Sequence, residues 1–253
     1  MDNRVATWDD LLGELAQAHS TSQALGGAEA IGRLHGRGKL TARERLELLF
    51  DPGTVHEIGL LAEGLISVSG RAPRAVPADA VVTGWGRVDG RIVFAIADDG
   101  TIAAGARGVI GGRKAGFIRS LAQRTRHPLV QLLEASAGRM QDMMGSQFAG
   151  AAGASGGGAS AGLTWASGRI PTVSAAMGFS FGGPSFQAPV TDFIMMTRET
   201  GFWGVGGPPV VRGGLGLEAT PEEIGGAEVH SKKTGFADRV AADDSACIAD
   251  IRR

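Results

Sequence analysis

The stretch that decides the fold is TVSAAMGFSFGG, residues 172–183. Its first six residues are small or apolar and predict a short buried strand, which runs directly into glycines at 178, 182 and 183. A second strand, LVQLL (129–133), likewise runs into the small residues 135–138. Small residues at a strand-to-helix turn let a backbone N–H face a ligand closely, and two such groups aimed at one point can stabilise an enolate or a tetrahedral oxyanion. The same residues also suit a tight turn with no ligand.

Strand-like and helix-like segments alternate on both sides of this stretch. The runs VVTGWGRV (81–88) and RIVFAIA (91–97) flank Asp89-Gly90, a dipeptide typical of a type I′ hairpin turn. Apolar residues recur at helical spacing between Arg113 and Arg126, and FIMM (193–196) predicts a further buried strand. We therefore expect stacked β-α units with a partly parallel sheet.

The first 55 residues predict a helical N-terminal arm ahead of a main domain that spans residues 56–253. Thr7 can cap a first helix, whose apolar face is formed by Trp8, Leu11, Leu12 and Leu15. Thr41-Ala-Arg-Glu44 is a capping box, and Asp51-Pro-Gly ends the helix that it starts. A second capping box, Thr220-Pro-Glu-Glu223, predicts another helix late in the chain.

Composition excludes several classes of protein. The 253 residues carry 25 basic and 26 acidic side chains, and a net charge of −1 gives no electrostatic basis for binding nucleic acid or an anionic membrane.

One cysteine, Cys247, excludes an internal disulfide and a four-cysteine zinc site, and the five histidines lack metal-site spacing, so we expect no metal. With no signal peptide and no apolar run of roughly 18 residues, we expect a cytoplasmic protein.

Two stretches of the sequence bear on phosphate binding. The glycine-rich stretch 201–220 has no Walker A match. Its Gly204, Gly206 and Gly207 only loosely resemble a dinucleotide fingerprint, since two prolines follow and no helix is expected to begin at once. A basic cluster, Arg33, Arg37, Lys39 and Arg43, is either a solvated face or a contact for a phosphorylated ligand such as coenzyme A.

A serine-hydrolase interpretation also fits the sequence. Gly178-Phe-Ser180-Phe-Gly182 matches G-x-S-x-G and follows a predicted strand, as a nucleophile elbow does. Its triad would use His230, the one histidine downstream of Ser180, with an acid such as Asp192. Short motifs of this kind arise by chance in a chain rich in glycine and serine.

Four stretches, in the same order, resemble the carboxyltransferase subunits of biotin-dependent acyl-CoA carboxylases, of the propionyl-CoA and acetyl-CoA carboxylase β type. They are GRGKLTARERLELLFDPGTVHEIG (36–59), PADAVVTGWGRVDGRIV (77–93), SGRIPTVSAAMGFSFGGPSFQAPVTDFIMM (167–196) and TPEEIGGAEVHSKKTGFAD (220–238). The resemblance covers nearly the whole chain after residue 30.

This resemblance implies an α/β, crotonase-like (ClpP/crotonase) fold of stacked ββα units. In that family, backbone N–H groups bind the thioester carbonyl of acyl-CoA and stabilise an enolate, which attacks the carboxyl group carried on biotin. The family's oxyanion pair falls on Gly182 and Gly183, and its second turn implies Ala137 and Gly138 as further donors. The implied substrate contacts are Ser136, Arg139, Gly178, Arg33, Arg37 and Lys39.

The chain departs from the family pattern at several places. Ser136 and Ala137 stand where the family has two glycines, Pro184 follows the glycine pair without an N–H, and residues 143–166 do not match the usual helix. Because of these changes, a decarboxylase or hydrolase acting on a malonyl-type thioester stays open as an alternative. Family members usually carry two related halves, for acyl-CoA and for biotin, and the sequence looks like the first half.

The resulting prediction is an acyl-CoA-binding carboxyltransferase subunit of a biotin-dependent acyl-CoA carboxylase. Its expected partners are acyl-CoA, a second carboxyltransferase chain that supplies the C-terminal half, and a biotinylated carrier with its biotin carboxylase. Biotin would be held on the separate carrier. A non-catalytic scaffold subunit, in which the altered turns have lost activity, is a third alternative.

Overall fold

A computed structural model describes residues 7–66, 72, 74–135, 139 and 164–253 of the protein. Its strands are β1 (His56–Glu57), β2 (Glu63–Ile66), β3 (Arg74–Pro77), β4 (Val81–Val88), β5 (Arg91–Asp98), β6 (Leu129–Leu133), β7 (Thr172–Ala176), β8 (Phe179–Phe181), β9 (Phe193–Thr197), β10 (Phe202–Gly204) and β11 (Arg239–Ala241). Its α-helices are α1 (Trp8–Gln23), α2 (Ala28–His35), α3 (Ala42–Leu49), α4 (Val109–Thr125), α5 (Gly183–Gln187), α6 (Pro208–Leu215), α7 (Pro221–Gly225) and α8 (Asp244–Arg252).

Seven strands form the main sheet, in the order β1-β4-β5-β6-β7-β9-β11. From β5 to β11 each neighbouring pair is parallel, whereas β1, β4 and β5 are joined by antiparallel pairing. The β4–β5 hairpin turns at Asp89 and Gly90, whose φ angles of 49° and 78° are those of a type I′ turn. The predicted hairpin and partly parallel sheet are therefore confirmed.

Two of the three described N-terminal helices, α1 and α3, begin at their predicted caps, whereas no cap was predicted for α2. Thr7 forms a capping box with Asp10 at the start of α1, and Thr41 forms one with Glu44 at the start of α3. The apolar residues of α1 face outward in the isolated chain: Trp8, Leu11, Leu12 and Leu15 are 44–80% exposed. In contrast, α3 belongs to the main core, and the division of the chain at residue 55 stays a prediction.

The core lies on both faces of the sheet because side chains alternate along each buried strand. Along β5, Val93, Ala95 and Ala97 pack toward α3 and α8, whereas Phe94 and Ile96 pack toward α4. The sheet is thus covered on each side by helices, the arrangement expected when consecutive parallel strands are joined through crossover segments.

Two helices differ from the sequence-based expectation. α4 starts at Val109, four residues before the predicted segment. A helix does begin directly after Gly207, since Pro208 and Pro209 occupy the first turn of α6, where a missing N–H costs nothing. The expectation that no helix follows was wrong. Even so, the eight residues of α6 include none that is buried, unlike the packed helix of a dinucleotide fold.

Candidate functional site

The carboxyl ends of the parallel strands meet at one edge of the sheet, and each is followed there by a polar or very small residue. Asp98 ends β5, Glu134 directly follows β6, and Gly178 comes two residues after β7. In open α/β sheets, ligands bind in the crevice outside this edge. This edge is therefore the candidate functional site.

A small second sheet stands at this edge. It consists of β8 and β10, which run parallel with Phe181 opposite Gly204. α5 begins at Gly183, just past the end of β8, and α6 begins at Pro208, shortly past the end of β10. The two helices therefore start on the same side of the small sheet, with Gly182 and Gly183 at the turn.

The two glycines of the expected oxyanion pair differ in what their N–H groups do. The N–H of Gly182 donates to the carbonyl of Gly204 at 3.1 Å and so extends the pairing between β8 and β10. Its φ of 78° and ψ of −121° suit glycine only. The N–H of Gly183 has no acceptor within the described part of the chain, and Gly183 is exposed. Of the pair, the N–H that remains available to a ligand belongs to Gly183.

The first turn of α5 is built to present that N–H. A Cβ added at Gly183 would meet no atom within 4 Å, so open space surrounds the residue. Pro184 is buried and contributes no donor of its own, while the N–H and hydroxyl of Ser185 both donate to the carbonyl of Gly182, at 2.9 and 2.6 Å. These two hydrogen bonds fix the backbone of the turn, while Gly183 stays exposed to solvent.

Four charged side chains form a buried cluster behind the edge, which we call the ionic cluster: Lys39, Arg45, Glu134 and Asp244. The carboxylate of Glu134 pairs with the Lys39 ammonium through one oxygen and with Arg45 Nη1 through the other, the latter at 2.6 Å. Arg45 also pairs with Asp244 at 2.8 Å. Each residue of the cluster is at most 8% exposed. Two positive and two negative charges balance, and they join the N-terminal arm to the end of β6 and to α8.

The cluster perturbs its own members. Burial lowers the pKa of Lys39, and the facing Glu134 carboxylate opposes this only in part. Burial alone would also lower the pKa of Arg45, but the carboxylates of Glu134 and Asp244 outweigh it and raise that pKa. Lys39 was expected to contact substrate beside Arg33 and Arg37. Its ammonium pairs with Glu134, and its contact with substrate stays a prediction.

Glu134 also explains why Gly178 has no side chain. A Cβ at Gly178 would lie 2.5 Å from Cγ of Glu134 and 2.7 Å from Nζ of Lys39, and a Cβ at Gly100 would lie 2.5 Å from Oε1 of Glu134. The small size of Gly178 is needed for packing against Glu134, and its contact with substrate stays a prediction. The backbone N–H of Glu134 donates to Oδ2 of Asp98 at 3.0 Å, which ties the ends of β6 and β5 together.

The second expected turn is described only at its two ends, Ala135 and Arg139. Ser136, Ala137 and Gly138 lie outside the described residues, so their roles stay predictions. Arg139 is buried and donates to the carbonyl of Leu65 at 3.1 Å, and it pairs with the carboxylate of Asp79. That carboxylate also accepts the N–H of Gly111 at 2.6 Å. The side chain of Arg139 thus holds β2 and α4 at the edge.

Arg33 and Arg37 do come together, as the basic cluster in the sequence suggested. They line a small cavity of about 80 Å³ with Gly100 and Thr101, which follow the end of β5. The hydroxyl of Thr101 accepts the N–H of Gly26 at 2.9 Å and so fixes this loop against the arm. Arg33 also pairs with Glu29 on the solvent-exposed side of α2. The cavity places two cations at the same edge as Gly183.

The structure contradicts the serine-hydrolase alternative. Ser180 is fully buried, and its hydroxyl donates to the carbonyls of Leu133 and Gly178 at 3.1 and 3.2 Å. The ring of His230 contacts the carbonyl of Trp203 at 2.8 Å and the hydroxyl of Thr234 at 3.0 Å, while Asp192 accepts from Thr172. These three residues do not contact one another, so no catalytic triad forms.

Neither metal chemistry nor a reactive thiol is indicated by the described residues. No group of three or more His, Cys, Asp or Glu side chains lies close enough there to hold a metal ion. Burial raises the pKa of the Cys247 thiol to about 12, which keeps it protonated at neutral pH. Within the same part of the chain, no helix is both long and apolar enough to span a bilayer.

The fold and the glycine turn together define an α/β protein of the crotonase-like class. The solved structure of transcarboxylase 12S, described as a hexamer with methylmalonyl-coenzyme A and methylmalonic acid bound, superposes with a TM-score of 0.87 at 30% identity. The match covers 98% of this chain and 48% of that one. The expected crotonase-like fold is confirmed.

The chain belongs to the carboxyl transferase domain family, whose model matches residues 33–253. It is 36% identical over 90% of its length to the methylmalonyl-CoA decarboxylase subunit alpha of Propionigenium modestum, and 35% identical over 96% of its length to the propionyl-CoA carboxylase beta chain of Cereibacter sphaeroides. These alignments cover 43% and 47% of the two relatives, so the chain spans about half the length of the curated relatives it matches. The resemblance found in the sequence is confirmed.

Several residues that build this edge were not identified from the sequence. Arg45, Asp98, Glu134 and Asp244 are the main ones. Glu134 could have been found from its position in the sequence. It directly follows the buried strand LVQLL, and a charged residue at that point lies at the ligand-binding edge of a parallel sheet.

Proposed function

We propose that the chain is the acyl-CoA-binding half of a biotin-dependent carboxyltransferase that works within an acyl-CoA carboxylase complex. The observation that carries the proposal is the exposed N–H of Gly183 at the carboxyl edge of the sheet, which has no acceptor in the described residues. Support also comes from the family to which the chain belongs.

The proposed chemistry needs positioned donors and no side-chain nucleophile. The thioester oxygen of acyl-CoA accepts a hydrogen bond from the N–H of Gly183, and negative charge grows on this oxygen as the α-proton leaves. A donor fixed before the reaction stabilises that charge without reorganising, so it favours the enolate over the ground state. We assign the second donor to Ala137 or Gly138 in the neighbouring turn. Carboxybiotin on its separate carrier would supply the carboxyl group: the enolate carbon would form the new C–C bond as the N–CO₂ bond breaks, and the released biotin nitrogen would take up the α-proton.

The described residues fit this chemistry. The two candidate nucleophiles, Ser180 and Cys247, are both buried, and the Ser180 hydroxyl donates to backbone carbonyls. What the edge offers instead is a backbone donor beside a cationic cavity. A site of this composition polarises and positions a thioester rather than attacking it.

We assign the cavity between Arg33 and Arg37 to the phosphate groups of coenzyme A. Guanidinium groups form strong, directional hydrogen bonds with phosphate oxygens, and Thr101 adds a hydroxyl. Since the cavity and Gly183 lie at the same edge of the sheet, one extended ligand can reach both.

Replacing Arg33 and Arg37 together with alanine should weaken acyl-CoA binding roughly tenfold at low salt, because two phosphate contacts are lost. Isothermal titration of the full chain with propionyl-CoA measures this, and the difference should shrink as salt screens the charges. Propionyl-pantetheine, which lacks the nucleotide phosphates, should bind the variant and the wild type equally. As a matched control, Arg124→Ala removes an exposed arginine elsewhere and should leave both affinities unchanged. Equal loss with both ligands would contradict the assignment.

We further propose that a second carboxyltransferase chain completes the site. The chain spans about half the length of its relatives, and a set of exposed apolar residues follows β10, the strand that pairs with β8. The set consists of Val205, Val210, Leu215 and Leu217, which are 59–71% exposed. Apolar surface of this kind, next to a site, suits a stable protein partner. The biotinylated carrier and the biotin carboxylase would join through that assembly.

Purification of the native complex from source cells tests the proposed function most directly. The expected result is a large complex that contains this chain, a second carboxyltransferase-like chain and a protein detected by streptavidin. It should carboxylate an acyl-CoA from ATP and bicarbonate. A biotin-free assembly without acyl-CoA turnover would contradict the proposal.

Decarboxylation of a malonyl-type thioester is a second candidate, because a decarboxylase subunit and a carboxylase subunit match the chain almost equally well. Loss of CO₂ from such a thioester passes through the same enolate, so Gly183 would serve both reactions. Product analysis separates them: incubation of the complex with methylmalonyl-CoA alone yields propionyl-CoA well beyond one equivalent per biotin, with release of CO₂, only if decarboxylation operates.

A further inference from the structure

Arg119 holds a buried positive charge that has no acidic partner among the described residues. It lies on α4 and is 6% exposed. Its Nε and Nη2 donate to Oε1 of Gln131 at 3.2 and 3.1 Å, and Nη2 also donates to Oε1 of Gln187 at 2.7 Å. Both acceptors are neutral amides. Burying a cation among neutral groups only lowers the stability of the folded state, because the charge loses its hydration without gaining an opposite charge. Such a charge is therefore a candidate for a functional role.

The guanidinium remains charged under physiological conditions. Burial lowers the pKa of Arg119 to about 9, still well above 7. The other charged groups that act on it are Arg107, which lowers the pKa of Arg119, and Asp98, which raises it. The two effects largely cancel, because these opposite charges lie together as an ion pair at 2.5 Å. Among the described residues, the positive charge of Arg119 is therefore left almost uncompensated.

Hydrogen bonds connect Arg119 to the helix that presents Gly183. Gln187, which binds the guanidinium, is the last residue of α5, and Gly183 is its first. Gln131 lies on β6 and donates in turn to Ser174 on β7 at 3.2 Å. Arg119 thereby fastens the far end of α5 to the two central strands of the sheet. Four helical residues span about 6 Å, which puts the guanidinium on the order of 10 Å from the N–H of Gly183.

We propose that Arg119 is a positioning residue for the oxyanion site, and that its uncompensated charge favours the enolate that forms there. This inference rests on the proposed function. Attraction between unit charges about 10 Å apart, at an effective dielectric constant of about 20, corresponds to a rate effect of roughly tenfold. Neutral amides suit this role because they hold the guanidinium in place without cancelling its charge.

The substitution Gln187→Glu tests the charge of Arg119 separately from its hydrogen bond to residue 187. A glutamate keeps an oxygen acceptor for Nη2 but brings a carboxylate onto the guanidinium. We expect the carboxyl-transfer kcat of the assembled complex to fall about tenfold with KM nearly unchanged, while thermal stability stays equal or rises. If Arg119 had only a structural role, the kcat of each variant would change in parallel with its thermal stability. Arg119→Gln, which removes the charge itself, is the second variant and should lower kcat at least as far.

A spectroscopic measurement on the full chain provides the direct readout. Infrared difference spectra of propionyl-CoA labelled with ¹³C at the thioester carbonyl report how strongly the bound carbonyl is polarised. We expect a shift to lower frequency on binding to wild type and a smaller shift with Gln187→Glu. Ser120→Glu adds the same charge on an exposed residue next to Arg119 and should match wild type.

The possible outcomes are distinguishable. An unchanged carbonyl shift and unchanged kcat in a stably folded Gln187→Glu protein would overturn the role of Arg119 and leave the proposed function intact. An equal loss with Ser120→Glu would also overturn it, since net charge alone would then account for the effect. If wild type binds propionyl-CoA without any shift, the oxyanion site itself is wrong, and the inference fails with it.

Discussion

Gly183→Pro is expected to lower carboxyl transfer by the assembled complex about 100- to 1,000-fold. The substitution removes one backbone N–H, and loss of a single oxyanion donor has an effect of this size on kcat. Proline is tolerated in the first turn of a helix, and the added ring faces open space at Gly183. Initial rates at saturating acyl-CoA and thermal melting of the same preparation together measure the effect.

Gly183→Ala is the matched control for this experiment. Alanine keeps the N–H, its Cβ meets no atom within 4 Å, and the residue does not have a positive φ. Activity within about threefold of wild type is expected, because the hydrogen-bond donor is retained. Equal losses for proline and alanine would show that bulk at residue 183 matters and that its N–H does not.

Glu134→Gln should destabilise the protein by about 3–5 kcal/mol, the largest stability effect we expect from a change of a single functional group. The substitution preserves shape but leaves Lys39 and Arg45 buried with only one carboxylate, that of Asp244. Removing one partner from a buried ion pair typically costs this much. For a chain of this length the melting temperature should fall by roughly 10 °C. Thermal and denaturant unfolding measure it.

Glu228→Gln supplies the control for that prediction, since it makes the same chemical change at an exposed pair. Glu228 contacts Arg198 and Lys232 at the surface, where solvent screens the charges, so its replacement should leave the melting temperature nearly unchanged. Combining Glu134→Gln with Lys39→Met should recover part of the lost stability, because the unpaired ammonium is removed as well. Similar small effects at residues 134 and 228 would contradict the importance of the ionic cluster.

Local features were predictable from the sequence because their causes are local. The capping box of α3 depends on Thr41 and Glu44, three residues apart, and the β4–β5 turn depends on two adjacent residues. The strand-to-helix turn at Gly182 and Gly183 was also visible, since small residues directly follow an apolar run. Each of these signals lies within one turn or one hairpin.

The ionic cluster could not be predicted in the same way. Lys39 meets Glu134 across 95 residues, and Arg45 meets Asp244 across 199, distances at which sequence spacing carries no information. Lys39 belongs to a basic run in the sequence, yet the chain directs it inward while Arg33 and Arg37 remain at the cavity. Proximity along the chain therefore suggested one basic cluster, whereas in the structure Lys39 is buried against Glu134 and Arg33 and Arg37 line the cavity.

Even adjacent glycines could not be distinguished from the sequence. Gly182 and Gly183 are chemically identical, and what separates them is the carbonyl of Gly204, which approaches from another strand and takes up one N–H. The helix α6 was missed for a different reason. Its two prolines were counted against a helix, although they stand in the first turn, where proline is favoured.

The fit between Glu134 and its two glycines also restricts how this edge can evolve. Because Gly100 and Gly178 leave only enough room for the existing carboxylate, neither can gain a side chain while Glu134 stays in place. Exchanging Glu134 for a neutral residue strands two cations contributed by the N-terminal arm. A side chain gained at Gly100 or Gly178 would therefore need a compensating change at Glu134, and through Glu134 at Lys39 and Arg45 as well.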